Sequence, residues 1–190
     1  MPAGGIVIAA LAVALAAAEL PPGEQFTRPL GLPLVATTIE DAQRRLGSAL
    51  VTVAGHHEQT VCYVDRPSRT FVAFMAQAEG LSGGFTVRRL GSEVPASCSQ
   101  LPDWALARLA SSVGGLRLGM LRKTFATVLV LGTRLKQVDG FETATFERSE
   151  LLERRPGQTE ADTLFTTIIV RGRFHEGRLV EYDVVKSSST

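Results

Sequence analysis

The chain has 190 residues, enough for one domain of ordinary size or two small ones, and 45% of them are hydrophobic against 21% charged. This is the composition of a folded globular protein, and it excludes an intrinsically disordered chain. Twenty Lys and Arg residues against nineteen Asp and Glu residues leave a net charge of +1. Because nucleic-acid-binding proteins normally carry a marked basic excess, we expect no nucleic-acid partner.

The first 18 residues predict a secretory signal peptide. They carry no charged side chain, and Ile6 to Ala18 form an unbroken apolar run. This run is short for crossing a bilayer of about 30 Å, and Ala16, Ala17 and Ala18 supply the small residues that precede a cleavage site. An uncleaved anchor and a buried helix are the alternatives. With few Lys and no Asn, a bias typical of GC-rich bacterial genomes, the chain is expected in the periplasm or secreted from a bacterium, with no membrane span in its mature part.

The first half of the mature chain predicts one helix followed by strands. Thr37 and Glu40 have the spacing of a capping box for a helix over residues 38–46, and Gly47 suits the left-handed position after its end. Alternating or apolar runs, bounded by Gly, Pro and Ser, then predict three strands at residues 60–65, 70–77 and 84–90. A short helix is expected over residues 101–110.

The second half repeats this pattern about 85 residues later. A helix is predicted over residues 121–131, although no Ser, Thr or Asp precedes it as an N-cap. Three strands are predicted at residues 140–148, 163–174 and 178–186. In the last of these strands, Val180, Tyr182 and Val184 are expected to share one face.

These patterns predict an α+β fold of tandem α-β-β-β repeats. The turns are too short for parallel crossovers, so the sheets must be antiparallel, with the helices packed on one face. We divide the chain into a signal peptide at residues 1–18, a first repeat with its connecting short helix at 19–110, and a second repeat at 111–190.

One stretch of the second half resembles a motif of small bacterial envelope proteins. It runs Gly-Leu-Arg-Leu-Gly-Met over residues 115–120, continues through a short helix ending at Leu131 and Gly132, and is followed by three strands. Similar stretches occur in small outer-membrane assembly lipoproteins of the SmpA/BamE kind and in tandem-repeat β-lactamase inhibitor proteins. The chain departs from the motif at Leu121, where Thr or Ser is usual, and in lacking a lipid-acceptor Cys. The resemblance implies a helix-plus-sheet fold and a binding role in the envelope, and it transfers no functional residue.

Cys62 and Cys98 are the two cysteines of the chain. An even count in an exported protein favours a disulfide between them, with two free buried thiols as the alternative. No His stands in a sequence context that would activate either thiol, so a catalytic cysteine is not expected.

One short motif could indicate a serine hydrolase. Residues 80–84 match Gly-x-Ser-x-Gly with Ser82 as the nucleophile, and Asp103 and His175 follow in the order found in α/β-hydrolases. That motif requires a helix directly after the Ser, whereas the residues that follow Ser82 predict a strand. A glycine-rich hairpin loop explains the same residues, so we expect no catalytic residue and no enzymatic activity.

Metal and cofactor sites are not expected either. His56, His57 and His175 are the three histidines, and two adjacent residues in a strand point to opposite faces. The sequence contains no zinc, calcium or nucleotide-binding motif.

A candidate binding face lies on the strand over residues 163–174. Thr167, Ile169, Arg171 and Arg173 alternate along it and should share one face, which we expect to be wet and basic. The basic pairs at residues 88–89 and 154–155 are solvated ends of elements or contacts to an anionic partner. Trp104 is an interface anchor or a buried core residue.

The sequence therefore predicts an exported, non-enzymatic protein-binding module of the bacterial envelope, whose partner is another envelope or secreted protein. An inhibitor or immunity protein directed against a secreted enzyme is the alternative, because the same fold could serve it. A small serine hydrolase using Ser82 is the third hypothesis. The sequence makes no prediction about the oligomeric state.

Overall fold

The computed structural model describes residues 23–54, 58–77, 82–91, 93–129, 134–138, 141–151 and 165–189. The predicted signal peptide, the pair His56 and His57, and the pair Arg154 and Arg155 lie outside these residues. Among the helices of the described ranges, none combines the length and the apolar character that a membrane crossing requires.

Two short 3-10 turns, at Glu24–Phe26 and Pro29–Gly31, precede the regular elements. The helices are α1 (Ile39–Leu46), α2 (Asp103–Ser112) and α3 (Arg122–Val128). The strands are β1 (Val51–Ala54), β2 (Glu58–Asp65), β3 (Thr70–Gln77), β4 (Ser82–Arg89), β5 (Ser99–Gln100), β6 (Arg134–Val138), β7 (Phe141–Leu151), β8 (Phe165–His175) and β9 (Arg178–Ser189).

All the described strands belong to one sheet, and the fold is α+β as predicted. Eight strands lie in the order β1-β2-β3-β4-β9-β8-β7-β6, every neighbouring pair antiparallel. The short β5 pairs parallel with one end of β2. Each half of the chain therefore builds a helix followed by a four-stranded meander, and the two meanders join where β4 pairs with β9.

The predicted strands correspond to β2, β3, β4, β7, β8 and β9. The sequence predicted three strands in each half, and one further strand of the antiparallel sheet was missed in each half: β1 in the first and β6 in the second. These two are the edge strands of the sheet, each with one neighbour only. Both strands are short: β1 has four residues and β6 has five, of which two are apolar.

The start of α1 lies one residue later than the sequence suggested. The hydroxyl of Thr38, not Thr37, accepts a hydrogen bond from the Asp41 amide at 3.2 Å, and the Asp41 carboxylate accepts one from the Thr38 amide at 3.1 Å. Asp41 thus replaces Glu40 in the capping box. With this start, the helix still buries its apolar stripe of Ile39, Ala42 and Leu46.

The core lies between the helices and one face of the sheet. A cross-strand row of buried side chains runs over six strands, from β2 to β7: Val61, Phe74, Phe85, Val184, Val170 and Phe146. Residues of all three helices join the same apolar cluster, including Ala42, Ala105 and Phe125. The helices therefore cover one face, which we call the covered face; on the other, the open face, lies no helix of the described ranges.

Gly83, which follows Ser82 within the Gly-x-Ser-x-Gly match, has a packing role. Gly83 lies on the covered face, where an added Cβ would come within 1.9 Å of the Leu34 carbonyl oxygen. Backbone approach this close leaves room only for glycine. Ser82 begins β4 and is followed by strand residues, so the strand–turn–helix geometry of a nucleophile elbow does not form here.

A β-bulge changes the predicted face of Val180. The register between β8 and β9 shifts by one residue after Arg173. Arg173 pairs with Glu181, but the next residue, Phe174, pairs with Leu179, so Val180 has no partner on β8. Leu179 is therefore buried on the covered face, 1% exposed, and Val180 is the extra residue of the bulge. The prediction that Val180 shares a face with Tyr182 and Val184 is wrong for this reason.

Candidate binding groove on the open face of the sheet

The four residues predicted to form a binding face do share one side of β8. Thr167, Ile169, Arg171 and Arg173 alternate with buried residues and lie on the open face. The face is not simply basic, however, because β9 places a carboxylate opposite each arginine. Arg171 Nε donates to Asp183 Oδ2 at 2.8 Å, and Arg173 Nη1 donates to Glu181 Oε2 at 3.1 Å.

The Arg171–Asp183 pair shows how burial acts on this face. Burial raises the pKa of the Asp183 carboxyl above its usual value, while the nearby Arg171 guanidinium acts in the opposite direction. Because desolvation is the larger effect, this ion pair costs free energy as well as contributing it. The pair fixes the orientation of both side chains on this face.

A groove of about 850 Å³ occupies one end of the open face. Its lining comes from the end of β4, from the segment that follows it, and from β7, β8 and β9. The lining residues are Arg88, Arg89, Leu90, Gly91, Glu93, Val94, Pro95, Phe141, Arg173, His175, Val180 and Glu181. Of the four predicted residues, Arg173 alone lines the groove.

One wall of the groove is formed by residues 93–95, and a disulfide anchors the chain just beyond it. Cys62 on β2 and Cys98 lie at disulfide distance, with 2.09 Å between the sulfurs, as the even cysteine count predicts. Directly after Cys98, β5 pairs with Tyr63 and Val64 of β2. We call residues 93–98 the strap; it is tied to the sheet at this end by one covalent bond and one short strand pairing.

Aromatic rings support the arginines of the groove. The Arg173 Cζ atom lies 4.3 Å from the centroid of the Phe141 ring, and the His175 ring centroid is 5.9 Å from that of Phe141. On the other side, Arg88 Cζ lies 4.3 Å from the Phe71 centroid. Contacts of this kind attract a guanidinium and hold its plane in place.

The groove has the composition of a binding site. Its lining combines three arginines with two glutamates, next to the apolar side chains Leu90, Val94 and Val180. In the described ranges, no three His, Cys, Asp or Glu side chains come close enough together to hold a metal ion. Of the residues in the hydrolase hypothesis, Asp103 begins α2 and His175 ends β8.

Trp104 lies elsewhere, on the helical side of the molecule. It is 39% exposed, and the Arg45 guanidinium carbon lies 5.3 Å from the centroid of its ring. Together with Arg44 and Arg108 it lines a second cleft, between α1 and α2. The side chain is therefore neither fully buried nor free, and it is not part of the groove.

Sequence reasoning missed most of the groove. Arg88 had been noticed only as part of a basic pair, and Phe141 and the strap were not considered. Their proximity depends on the pairing of β4 with β9 and on the path of the strap. A period-two pattern shows which residues share a face of one strand, and it does not show which strands are neighbours.

In comparisons with known proteins, no family model, no curated protein and no solved structure matches the chain. The resemblance to the envelope lipoproteins and the β-lactamase inhibitor proteins therefore stays a prediction.

Proposed function

We propose that the protein is a non-enzymatic binding module, exported to the periplasm or secreted from a bacterial cell, that holds a segment of another envelope or secreted protein in the groove. The observation that carries this proposal is the groove itself, which brings apolar, aromatic and guanidinium groups together on the open face. Arginine and aromatic residues are enriched among the residues that dominate protein–protein binding energy.

The disulfide supports the location of this function. Disulfides persist in oxidising compartments such as the periplasm and the extracellular space. The bond also serves the site, since it fixes one end of the strap and so reduces the ordering cost of binding.

Two features favour binding over catalysis. Ser82, the candidate nucleophile, starts a strand that pairs with β3 on one side and with β9 on the other. Two of the groove arginines, Arg88 and Arg173, stack on rings, and Arg173 also pairs with Glu181, an arrangement typical of recognition.

Site-specific cross-linking tests the proposal. Gly91 lines the groove, and a Cβ added there meets no atom within 4 Å, so a photo-reactive benzoylphenylalanine fits at this position. The same residue at Arg44, on the exposed side of α1, is the matched control. Illumination of the tagged protein in envelope preparations of its own organism should yield one protein cross-linked from position 91 and not from position 44.

A groove-filling variant decides whether the captured protein uses the groove. Gly91→Trp should abolish its co-purification, and Arg44→Ala should leave it unchanged. Equal capture by wild type and Gly91→Trp, or equal cross-linking from both positions, would refute the proposal. The identity of the protein then distinguishes an envelope component from a secreted enzyme, the partner expected of an inhibitor or immunity protein.

A further inference from the structure

The charges of one cross-strand row in the groove do not cancel. Phe71 on β3, Arg88 on β4, Glu181 on β9 and Arg173 on β8 are successive register partners on the open face. Glu181 therefore lies between two arginines of this row, Arg88 and Arg173. It accepts a hydrogen bond from Arg173, and Arg88 makes no ion pair with any residue that the structure describes.

Arg88 is held in a fixed position with unused hydrogen-bonding capacity. Its guanidinium stacks on the Phe71 ring, and its buried Nε has no acceptor within the described ranges. A buried donor without an acceptor costs free energy, and the four N–H donors on the two Nη atoms are the ones that an anion in the groove would meet. The rest of the side chain is partly exposed and lines the groove.

We propose that Arg88 binds a carboxylate carried by an acidic residue of the partner segment. This inference rests on the proposed function and names the chemistry of the occupant. Arg88 presents parallel N–H donors that match the two oxygens of a carboxylate. Leu90, Val94 and Val180, which line the same groove, would contact the apolar residues beside that acidic residue.

The charge balance favours a carboxylate over a phosphate. The lining holds Arg88, Arg89 and Arg173 against Glu93 and Glu181, which leaves a surplus of one positive charge among these five residues. A carboxylate carries one negative charge, whereas a phosphate monoester carries close to two at neutral pH. A single carboxylate therefore neutralises the groove without leaving an excess charge.

Small probe anions test this inference without a known partner. Benzoate joins a carboxylate to an apolar ring, benzamide is its neutral counterpart, and phenyl phosphate is the doubly charged one. The binding of each is followed by NMR through the backbone amide resonance of Gly91, a groove residue that every variant below retains, in the ¹⁵N-labelled protein. Benzoate should shift this resonance saturably, and benzamide should not.

Three variants locate the site. Arg88→Gln should weaken benzoate binding about ten-fold or more, because a charge-assisted hydrogen bond is lost. Arg89→Gln, at the neighbouring lining residue, should weaken it by about two-fold or less, since it removes only an exposed, screened charge. Glu181→Gln removes the negative charge of the residue that lies beside Arg88 in the row, so it should strengthen benzoate binding. A misfolded variant could not produce this effect.

Each outcome decides one question. Tighter binding of phenyl phosphate than of benzoate would overturn the choice of a carboxylate, and equal benzoate affinity in wild type and Arg88→Gln would overturn the site. If a partner is cross-linked from position 91 but benzoate does not bind, the inference fails and the proposed function stands. If benzoate binds through Arg88 but no partner is captured, the carboxylate site stands and the proposed function fails.

Discussion

The two halves of the sheet share one order of elements, and their helices are held in different ways. Helix α1 has a complete capping box, acidic residues in its first turn and arginines in its last, all of which suit the helix dipole. Helix α3 has no side-chain cap, and two basic residues, Arg122 and Lys123, lie at its positive end. The first half also carries the disulfide, between Cys62 and Cys98.

This difference shows where each half obtains its stability. Helix α1 is favoured by its own sequence, whereas α3 depends on contacts with the sheet. The Phe125 ring packs edge-on against Phe174 at 5.2 Å between centroids and lies over Gly172, where an added Cβ would meet it at 2.6 Å. Helix α3 is therefore stabilised by packing on glycine and aromatic residues in place of local capping.

The largest expected effect on stability comes from removing the disulfide, a bond that lies in the first half. Cys62 and Cys98 are 36 positions apart, and opening a loop of this length should lower the free energy of unfolding by about 4 kcal/mol. Urea denaturation of the Cys62→Ser, Cys98→Ser double variant measures this loss. Wild type unfolded in the presence of a reductant is the control and should match the variant.

Thiol alkylation provides an independent check of the same bond. Denatured, unreduced protein recovered from the periplasm should contain no free thiol. Two alkylatable thiols in that sample would contradict both the disulfide and the proposed compartment.

An intermediate effect should appear at two buried tyrosines, one in each half. The Tyr63 hydroxyl donates to the Gly47 carbonyl at 2.8 Å, whereas the buried Tyr182 hydroxyl has no partner in the described part of the chain. Burial raises the pKa of Tyr63 to about 12, and it raises that of Tyr182 further. Both hydroxyls therefore stay protonated, and hydrogen bonding alone distinguishes them.

We expect the same substitution to have opposite signs at these two positions. Tyr63→Phe should destabilise the protein by about 1 kcal/mol, and Tyr182→Phe should stabilise it by a similar or smaller amount, because it removes an unsatisfied buried group. Urea denaturation of both variants at neutral pH makes the comparison. A loss of stability in Tyr182→Phe would mean that this hydroxyl is satisfied in solution.

The helix caps should give an effect of similar size at α1 and the smallest effect at α3. Thr38→Ala should cost about 1 kcal/mol, since it removes the hydroxyl that accepts from the Asp41 amide. Leu121 occupies the N-cap position of α3 and is 53% exposed, so Leu121→Ser should gain about 0.5 kcal/mol by supplying the missing cap.

Leu121→Ala separates capping from the loss of an exposed apolar side chain. It supplies no hydroxyl and should bring no gain in the midpoint of urea unfolding. Equal stability of Leu121→Ser and Leu121→Ala would show that α3 does not respond to a cap.

Much of the fold could be predicted from local sequence, because turns and alternation are local properties. Residues 70–77 match β3 at both ends, where an apolar run is bounded by Arg-Pro-Ser on one side and a glycine-rich stretch on the other. The edge strand β1 was missed although Val51, Thr52 and Val53 are all β-branched, because a run of four residues is short for a strand prediction. Tertiary pairing supplies what its local pattern lacks.

The site could be predicted only in part. Arg173 was found because period-two alternation places it on one face of β8. Its pairing with Glu181 and the approach of Arg88 required the register between strands that are distant in sequence. The bulge at Val180 adds one residue to a strand without any change in composition, so a regular alternation misassigned it.

The joint between β4 and β9 has a consequence for how the chain folds. Arg88 and Glu181 are register partners more than ninety positions apart, and the sheet becomes continuous only through this contact. Until β9 has been synthesised, β4 has an unpaired edge and Phe85 lacks its neighbour Val184. Pairing over such a separation is slow, so the complete structure forms late. For a chain that is exported as we propose, this delay is useful, since it keeps the polypeptide unfolded while it crosses the membrane.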